Sequence, residues 1–229
     1  IVGQWQVDQT GFALASRYYW AKVNRLAEHP EAIAQPGPDA AERTDTRQFE
    51  EAPAAGRRMV VMTSDLFRAQ QTAHAFADIL GLPVTCDQRL RERSFGDWEG
   101  IPVEELAQRY PEDYRSWAEF RGGELKYGAE PKEEVGRRGV EALNDWAFRA
   151  GSDTDLYVFS HGAGISQTLQ TLLGMADAHG DFADILSMRN AHWVRLIPLE
   201  IGSTLRWRLM DYNHGPAIAD SEEWEHPSL

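Results

Sequence analysis

Met59-Val60-Val61-Met62-Thr63-Ser64-Asp65-Leu66-Phe67-Arg68-Ala69 opens with a short apolar run and turns within a few residues into a helical pattern. A run of this length without polar alternation is what a strand buried on both faces of a parallel sheet shows. From Asp65 to Leu80 the apolar residues (Leu66, Ala69, Ala73, Phe76, Ala77, Leu80) fall at helical spacing, and Gly81 stands at the usual C-terminal position. Leu82 to Thr85 reads as the next strand. Strand, helix, strand in this order predicts a three-layer α/β/α sandwich with a mostly parallel sheet.

The same pattern returns downstream. Leu156-Tyr157-Val158-Phe159-Ser160 is a second buried strand, feeding His161-Gly162-Ala163-Gly164 and a helix through Leu173. Between the two strands, Pro102 to Trp117 is helical and acidic, Arg121 to Pro131 is a Gly-rich loop, and a helix runs from about Lys132 to Arg149. Trp193 to Ile197 and Thr204 to Leu209 read as a closing antiparallel pair. Upstream, Gly11 to Leu26 reads as a helix, and the polar stretch from Glu28 to Arg58 as a long surface loop. The expectation is one domain over 1–214, with an inserted loop at about 28–58, a cap at about 102–131 and a loose tail over 215–229.

Composition narrows the partners. The net charge is −13, and no segment concentrates Lys and Arg, so neither nucleic acid nor an anionic membrane is an expected partner. A phosphorylated substrate would have to be captured by a few local cations. Cys86 is the single cysteine, so no intrachain disulfide can form; within Leu82-Pro83-Val84-Thr85-Cys86-Asp87 it reads as a buried strand residue rather than a nucleophile. No apolar run approaches the roughly 20 residues of a membrane span, and a cytoplasmic location is expected.

Three segments carry chemistry, each at the carboxyl end of a strand, where α/β folds place ligands. In the first, Ser64 or Asp65 could cap the helix while Arg68 offers a two-pronged donor for phosphate oxygens beside the helix N-terminus. The plain alternative is a surface arginine paired with Asp65 or Glu92. In the second, Leu90-Arg91-Glu92-Arg93-Ser94-Phe95-Gly96-Asp97-Trp98-Glu99-Gly100, Glu92 could act as a general acid if its surroundings raise its pKa, and Trp98 implies a packed loop. The alternative is a solvated glutamate. In the third, His161 and the backbone N–H groups that follow it could receive a phosphoryl group or an oxyanion. A Ser-His-Asp hydrolase is the rival there, but the chain has no G-x-S-x-G elbow, and no His, Cys and carboxylate pattern has zinc spacing.

Taken in order and at these spacings, the segments resemble the histidine phosphatase (phosphoglycerate mutase-like) superfamily. Ser64-Asp65-Leu66-Phe67-Arg68-Ala69 is similar to its phosphate-binding arginine segment, Leu90 to Gly100 to its acid loop, and Ser160-His161-Gly162 to its second histidine motif. The resemblance implies hydrolysis of a small phosphorylated metabolite through a phosphohistidine, without metal or cofactor. It implies that Arg68 holds the phosphoryl oxygens, that His161 stabilises the transferring group, and that Glu92 protonates the leaving oxygen and then activates water. Gln4 would border the site, and the backbone N–H near Ala163 would add a donor.

One departure stands against this set. The family's Arg-His-Gly, which carries the nucleophile, is nowhere in the chain, and Ile1-Val2-Gly3-Gln4-Trp5 resembles the stretch just after it. The nucleophile is therefore expected upstream of Ile1. The alternative is a catalytically dead relative that binds a phosphorylated ligand or a protein partner. A mutase is less favoured, because Tyr110 to Arg121 lacks the Arg- and Pro-rich insertion that mutases carry after the acid loop. Asn190-Ala191-His192-Trp193 and Leu205 to Leu209 look like phosphatases acting on phosphorylated glycerate or sugar compounds, with His192 as a strand residue facing a neighbour. A homo-oligomer is compatible with all of this.

Overall fold

The computed structural model describes residues 57–178, 185, 188–201 and 204–221. Gln4, the expected helix over Gly11 to Leu26 and the polar stretch up to residue 56 lie outside the described residues. Strands β1 (Arg58–Thr63), β2 (Val84–Cys86) and β3 (Thr154–Phe159) form a parallel sheet in the order β2–β1–β3. The helices are α1 (Phe67–Leu80), α2 (Val103–Arg109), α3 (Pro111–Ala118), α4 (Lys132–Ala150), α5 (Gly162–Leu172) and α6 (Met175–Ala178). β4 (Trp193–Ile201) and β5 (Thr204–His214) pair antiparallel as a separate ribbon.

β1 is buried throughout its second half because helices cover both of its faces. Val61 packs under Ala73, Phe76 and Ala77 of α1, with Met59, Tyr157 and Phe159 alongside. Met62, one residue on, points the other way, toward Leu90 and Ala142 of α4, with Trp146, Leu156 and Val158 around it. Phe76 is fully buried and stacks on Tyr157 with ring centroids 4.5 Å apart. A buried phenylalanine of this kind is worth about 3–5 kcal/mol against alanine. α4 and α5 meet closely because Gly136 and Gly139 face Thr171 and Thr168, where a Cβ on either glycine would collide with the threonine side chain.

The strand order places the site. β1 has β2 on one side and β3 on the other, so their carboxyl ends flank a crevice. Thr63 registers with Phe159, and the Ser64 N–H donates to the Phe159 carbonyl at 2.9 Å. The residues just beyond β1 and β3 therefore lie side by side. Two segments 97 residues apart in sequence, ending in Ser64 and His161, meet for this reason.

Several expectations need correction. The helical pattern over Pro102 to Trp117 is two helices, because Pro111 pushes Tyr110 out of helical geometry (φ −133°, ψ 54°) and starts α3 itself. Cys86 does end a strand, but it is exposed, since β2 is short and has β1 on one side only among the described residues. The residues from Gly215 are not loose at their start. Ala217–Asp220 form a 3₁₀ turn, and Ala219 is buried close to Gly215. His192 precedes β4 rather than lying in it, with its Nδ1 3.0 Å from the Asn190 carbonyl.

Candidate active site

His161 occupies the extended N-cap position of α5, directly after β3, and is 8% exposed. Both ring nitrogens are engaged. Arg68 Nε–H donates to His161 Nδ1 at 3.2 Å, and His161 Nε2 lies 2.9 Å from Ser64 Oγ. A guanidinium can only donate, so Nδ1 must accept, and the ring proton sits on Nε2, from which it is donated to Ser64. Ser64 is itself fully buried, and its Oγ also accepts the Leu66 N–H at 3.3 Å. Neither Ser64 nor Asp65 caps α1, whose N-cap is Leu66 without a side-chain bond. Asp65 is instead clamped by both prongs of Arg91 at 2.7 and 2.6 Å, which holds its carboxyl below the ordinary range.

Burial pushes the His161 pKa down from 6.5, and the adjacent Arg68 charge pushes it the same way; Arg138 adds to this, while Glu92 and Asp65 oppose it. The folded state therefore favours the neutral ring. The associated stability is fully present above pH 6.5 and is lost as pH falls below it, through the lower folded-state pKa. An NMR titration of the His161 ring is expected to have its midpoint below 6.5. A midpoint at or above that value would contradict the arrangement.

Glu92 meets the start of α5. Its Oε1 accepts the N–H groups of Gly164 and Arg93, each at 2.8 Å, and its Oε2 accepts the N–H of Ala163 at 3.3 Å. The carboxyl group thus sits at the N-terminus of α5 and takes up N–H groups that the helix leaves without partners. Gly164 allows the approach, since a Cβ there would stand only 3.3 Å from the Arg91 carbonyl oxygen. The Ala163 N–H, expected to reach substrate, is directed at Glu92. Arg68 is exposed, and among the described residues its terminal nitrogens have no partner.

The acid loop is tied down from both ends. Ahead of it, Asp87 accepts from the Arg89 guanidinium, the Arg89 N–H and the Trp146 indole N–H; the arginine above all pulls its pKa to about 2. The Ser160 hydroxyl donates to the Leu90 carbonyl at 2.8 Å. Behind it, Arg93 and Glu124 form an ion pair at 2.6 Å with side chains only 4% and 2% exposed. Trp98 is buried against Tyr110, Trp117 and Tyr127, so the cap residues form an aromatic wall next to the loop. Arg68, which bonds the His161 ring, and Glu92, which bonds the helix start two and three residues beyond it, thus stand at one end of the sheet.

The family model of the histidine phosphatase superfamily (branch 1) matches residues 39–208. The chain belongs to that superfamily. It is 30% identical over 180 residues to a glucosyl-3-phosphoglycerate phosphatase of Mycolicibacterium vanbaalenii, covering 71% of this chain and 76% of that protein. It is 39% identical over 120 residues to a probable phosphoglycerate mutase GpmB of Yersinia enterocolitica, covering 50% and 53%. Among solved structures, mycobacterial glucosyl-3-phosphoglycerate phosphatase in complex with VO3 superposes with a TM-score of 0.59 at 27% identity, over 68% of this chain and 77% of that one. Among the described residues, no helix of this superfamily member is long and apolar enough to cross a membrane.

Sequence reasoning singled out Arg68, Glu92 and His161 but passed over Ser64 as a ring partner, the Arg93–Glu124 pair and Arg138. Arg138 did leave a signal. It falls three residues after Val135 and four before Ala142, both fully buried, so a charge stands beside the apolar stripe of α4.

Proposed function

We propose that this superfamily member is a metal-independent phosphomonoesterase. It works through a phosphohistidine on a small phosphorylated metabolite, with the attacking histidine supplied by residues outside the described set. The observation that carries the reading is the convergence of Arg68, His161 and Glu92 at the carboxyl ends of β1 and β3. The terminal nitrogens of Arg68 take the phosphoryl oxygens, and doing so draws the guanidinium off His161 Nδ1. The anionic phosphoryl group favours the charged ring, so the vacated Nδ1 takes up a proton from solvent and donates a hydrogen bond to a phosphoryl oxygen. The ester P–O bond breaks as a P–N bond forms, and Glu92 gives a proton to the departing oxygen. Water then attacks the phosphohistidine, Glu92 takes its proton, and the P–N bond breaks. Preorganised charge around a loose phosphoryl group supplies most of the rate, which is why three side chains and no metal suffice.

Relatives named as glucosyl-3-phosphoglycerate phosphatases support a phosphorylated glycerate or sugar compound as substrate. Loops rather than these three side chains decide which one. The test is turnover of a phosphate monoester by the full chain as its gene encodes it, in the presence of a chelator, with acid quench to trap labelled phosphoenzyme. Turnover with an acid-labile phosphoenzyme is expected. Binding of phosphate without turnover would replace this reading with that of a non-catalytic relative.

A further inference from the structure

The geometry points to Arg138 as a positioning residue that holds the acid loop, an inference that rests on the phosphatase reading above. Arg138 comes from α4, an element that contributes nothing to the three converging side chains. Its Nη1 donates to the carbonyl oxygens of Arg89 and Arg91, each at 2.7 Å, and its Nη2 donates to that of Glu92 at 3.1 Å. Glu130 clamps the same guanidinium from the other side, with Nε to Oε1 at 2.7 Å and Nη2 to Oε2 at 2.9 Å. The side chain is only 14% exposed, and every nitrogen of the fork is spent on these five bonds.

The loop needs such a device. Residues 91–94 belong to no helix or strand, so no ladder or helical bond takes up their carbonyl groups. Partly buried carbonyls without partners would be costly, and the rigid fork of an arginine satisfies two of them, those of Arg91 and Glu92, together with that of Arg89 in the turn just before. Glu92 then has two anchors. Its carbonyl is held by α4 through Arg138, and its carboxylate is held by α5 through Ala163 and Gly164. Gly136 and Gly139 on one helix, against Thr171 and Thr168 on the other, let α4 and α5 pack without a gap, so the two anchors move as one body. Arg138 touches neither Glu92's carboxylate nor the crevice. Its effect is on where the acid stands.

Leaving-group dependence separates this role from a merely structural one. An aryl phosphate departs without a proton, whereas an alkyl phosphate such as a glycerol phosphate needs one. In the full chain as encoded, Arg138→Met is expected to lower kcat/KM for the alkyl ester about a hundredfold, the size expected when a catalytic group is displaced by about 1 Å. The aryl ester should lose little, and Glu92→Gln should reproduce the pattern. Arg138→Lys keeps the charge but cannot reach three carbonyls at once, so it should show the same selective loss at smaller size. Equal losses on both esters, or none on either, in an active wild-type background would overturn the assignment of Arg138. A wild-type chain that turns over neither ester would instead overturn the phosphatase reading itself.

Discussion

Arg68→Ala is expected to lower kcat/KM for a phosphate monoester about a hundred- to a thousandfold, the usual cost of removing one preorganised donor from a developing charge. Arg68 offers two terminal nitrogens with no partner among the described residues while its Nε is held by His161. That arrangement aims the fork before substrate arrives. Lysine should not rescue the loss, because a point charge cannot make the two-pronged contact and cannot also hold the imidazole. The variant carries a second, independent readout. The Arg68 charge helps keep the His161 pKa down, so the ring's titration midpoint should move up in Arg68→Ala. Steady-state kinetics and histidine NMR on the same preparations test both. Unchanged kinetics would remove Arg68 from the phosphoryl site, whatever the ring did.

Glu124→Ala is expected to cost about 3–5 kcal/mol of stability, because it leaves the Arg93 guanidinium buried without its counter-charge. The pair itself is no large net gain, since both charges were taken out of water to make it and Glu124 Oε2 finds no partner among the described residues. The double replacement Arg93→Met with Glu124→Leu should therefore be far milder than Glu124→Ala alone, losing chiefly the 2.7 Å bond from Arg93 Nε to the Glu130 carbonyl. Denaturant unfolding of the three variants measures the difference. A single variant no worse than the double would mean that the charge is relieved by water. The consequence reaches the site, because Arg93 follows Glu92 directly and its N–H is one of the three that hold the carboxylate.

The parts of this fold that were legible in sequence are those governed by local patterning. Val61 and Met62 lie next to each other and are both fully buried, which only a strand covered on two faces allows, and that is why an unbroken apolar run was informative. Gly81 ends α1 in the left-handed region (φ 64°), as a glycine in that position should. The helix boundary at Pro111 is hidden in the sequence although the proline is in plain view, because the helical apolar pattern continues across it. Cys86 was misjudged for a different reason. Strand membership is local, but exposure depends on whether anything covers that end of the strand.

The site divides in the same way. Sequence alone determined which side chains are available: an arginine in the first turn of α1, a glutamate in a loop among arginines and glycines, and a histidine between β3 and α5. Spacing and residue type suffice for that, because each of these placements follows from a strand end or a helix start within a few residues. Only the tertiary structure decided how those side chains are engaged. The register of Thr63 on Phe159 brings Ser64 to His161, the α5 N-terminus takes the Glu92 carboxylate, and α4 delivers Arg138 to the backbone of the acid loop. These are contacts between residues tens of positions apart. Their partners are fixed by strand order and helix packing, and no local pattern around Ser64, Ala163 or Arg138 encodes which partner that will be.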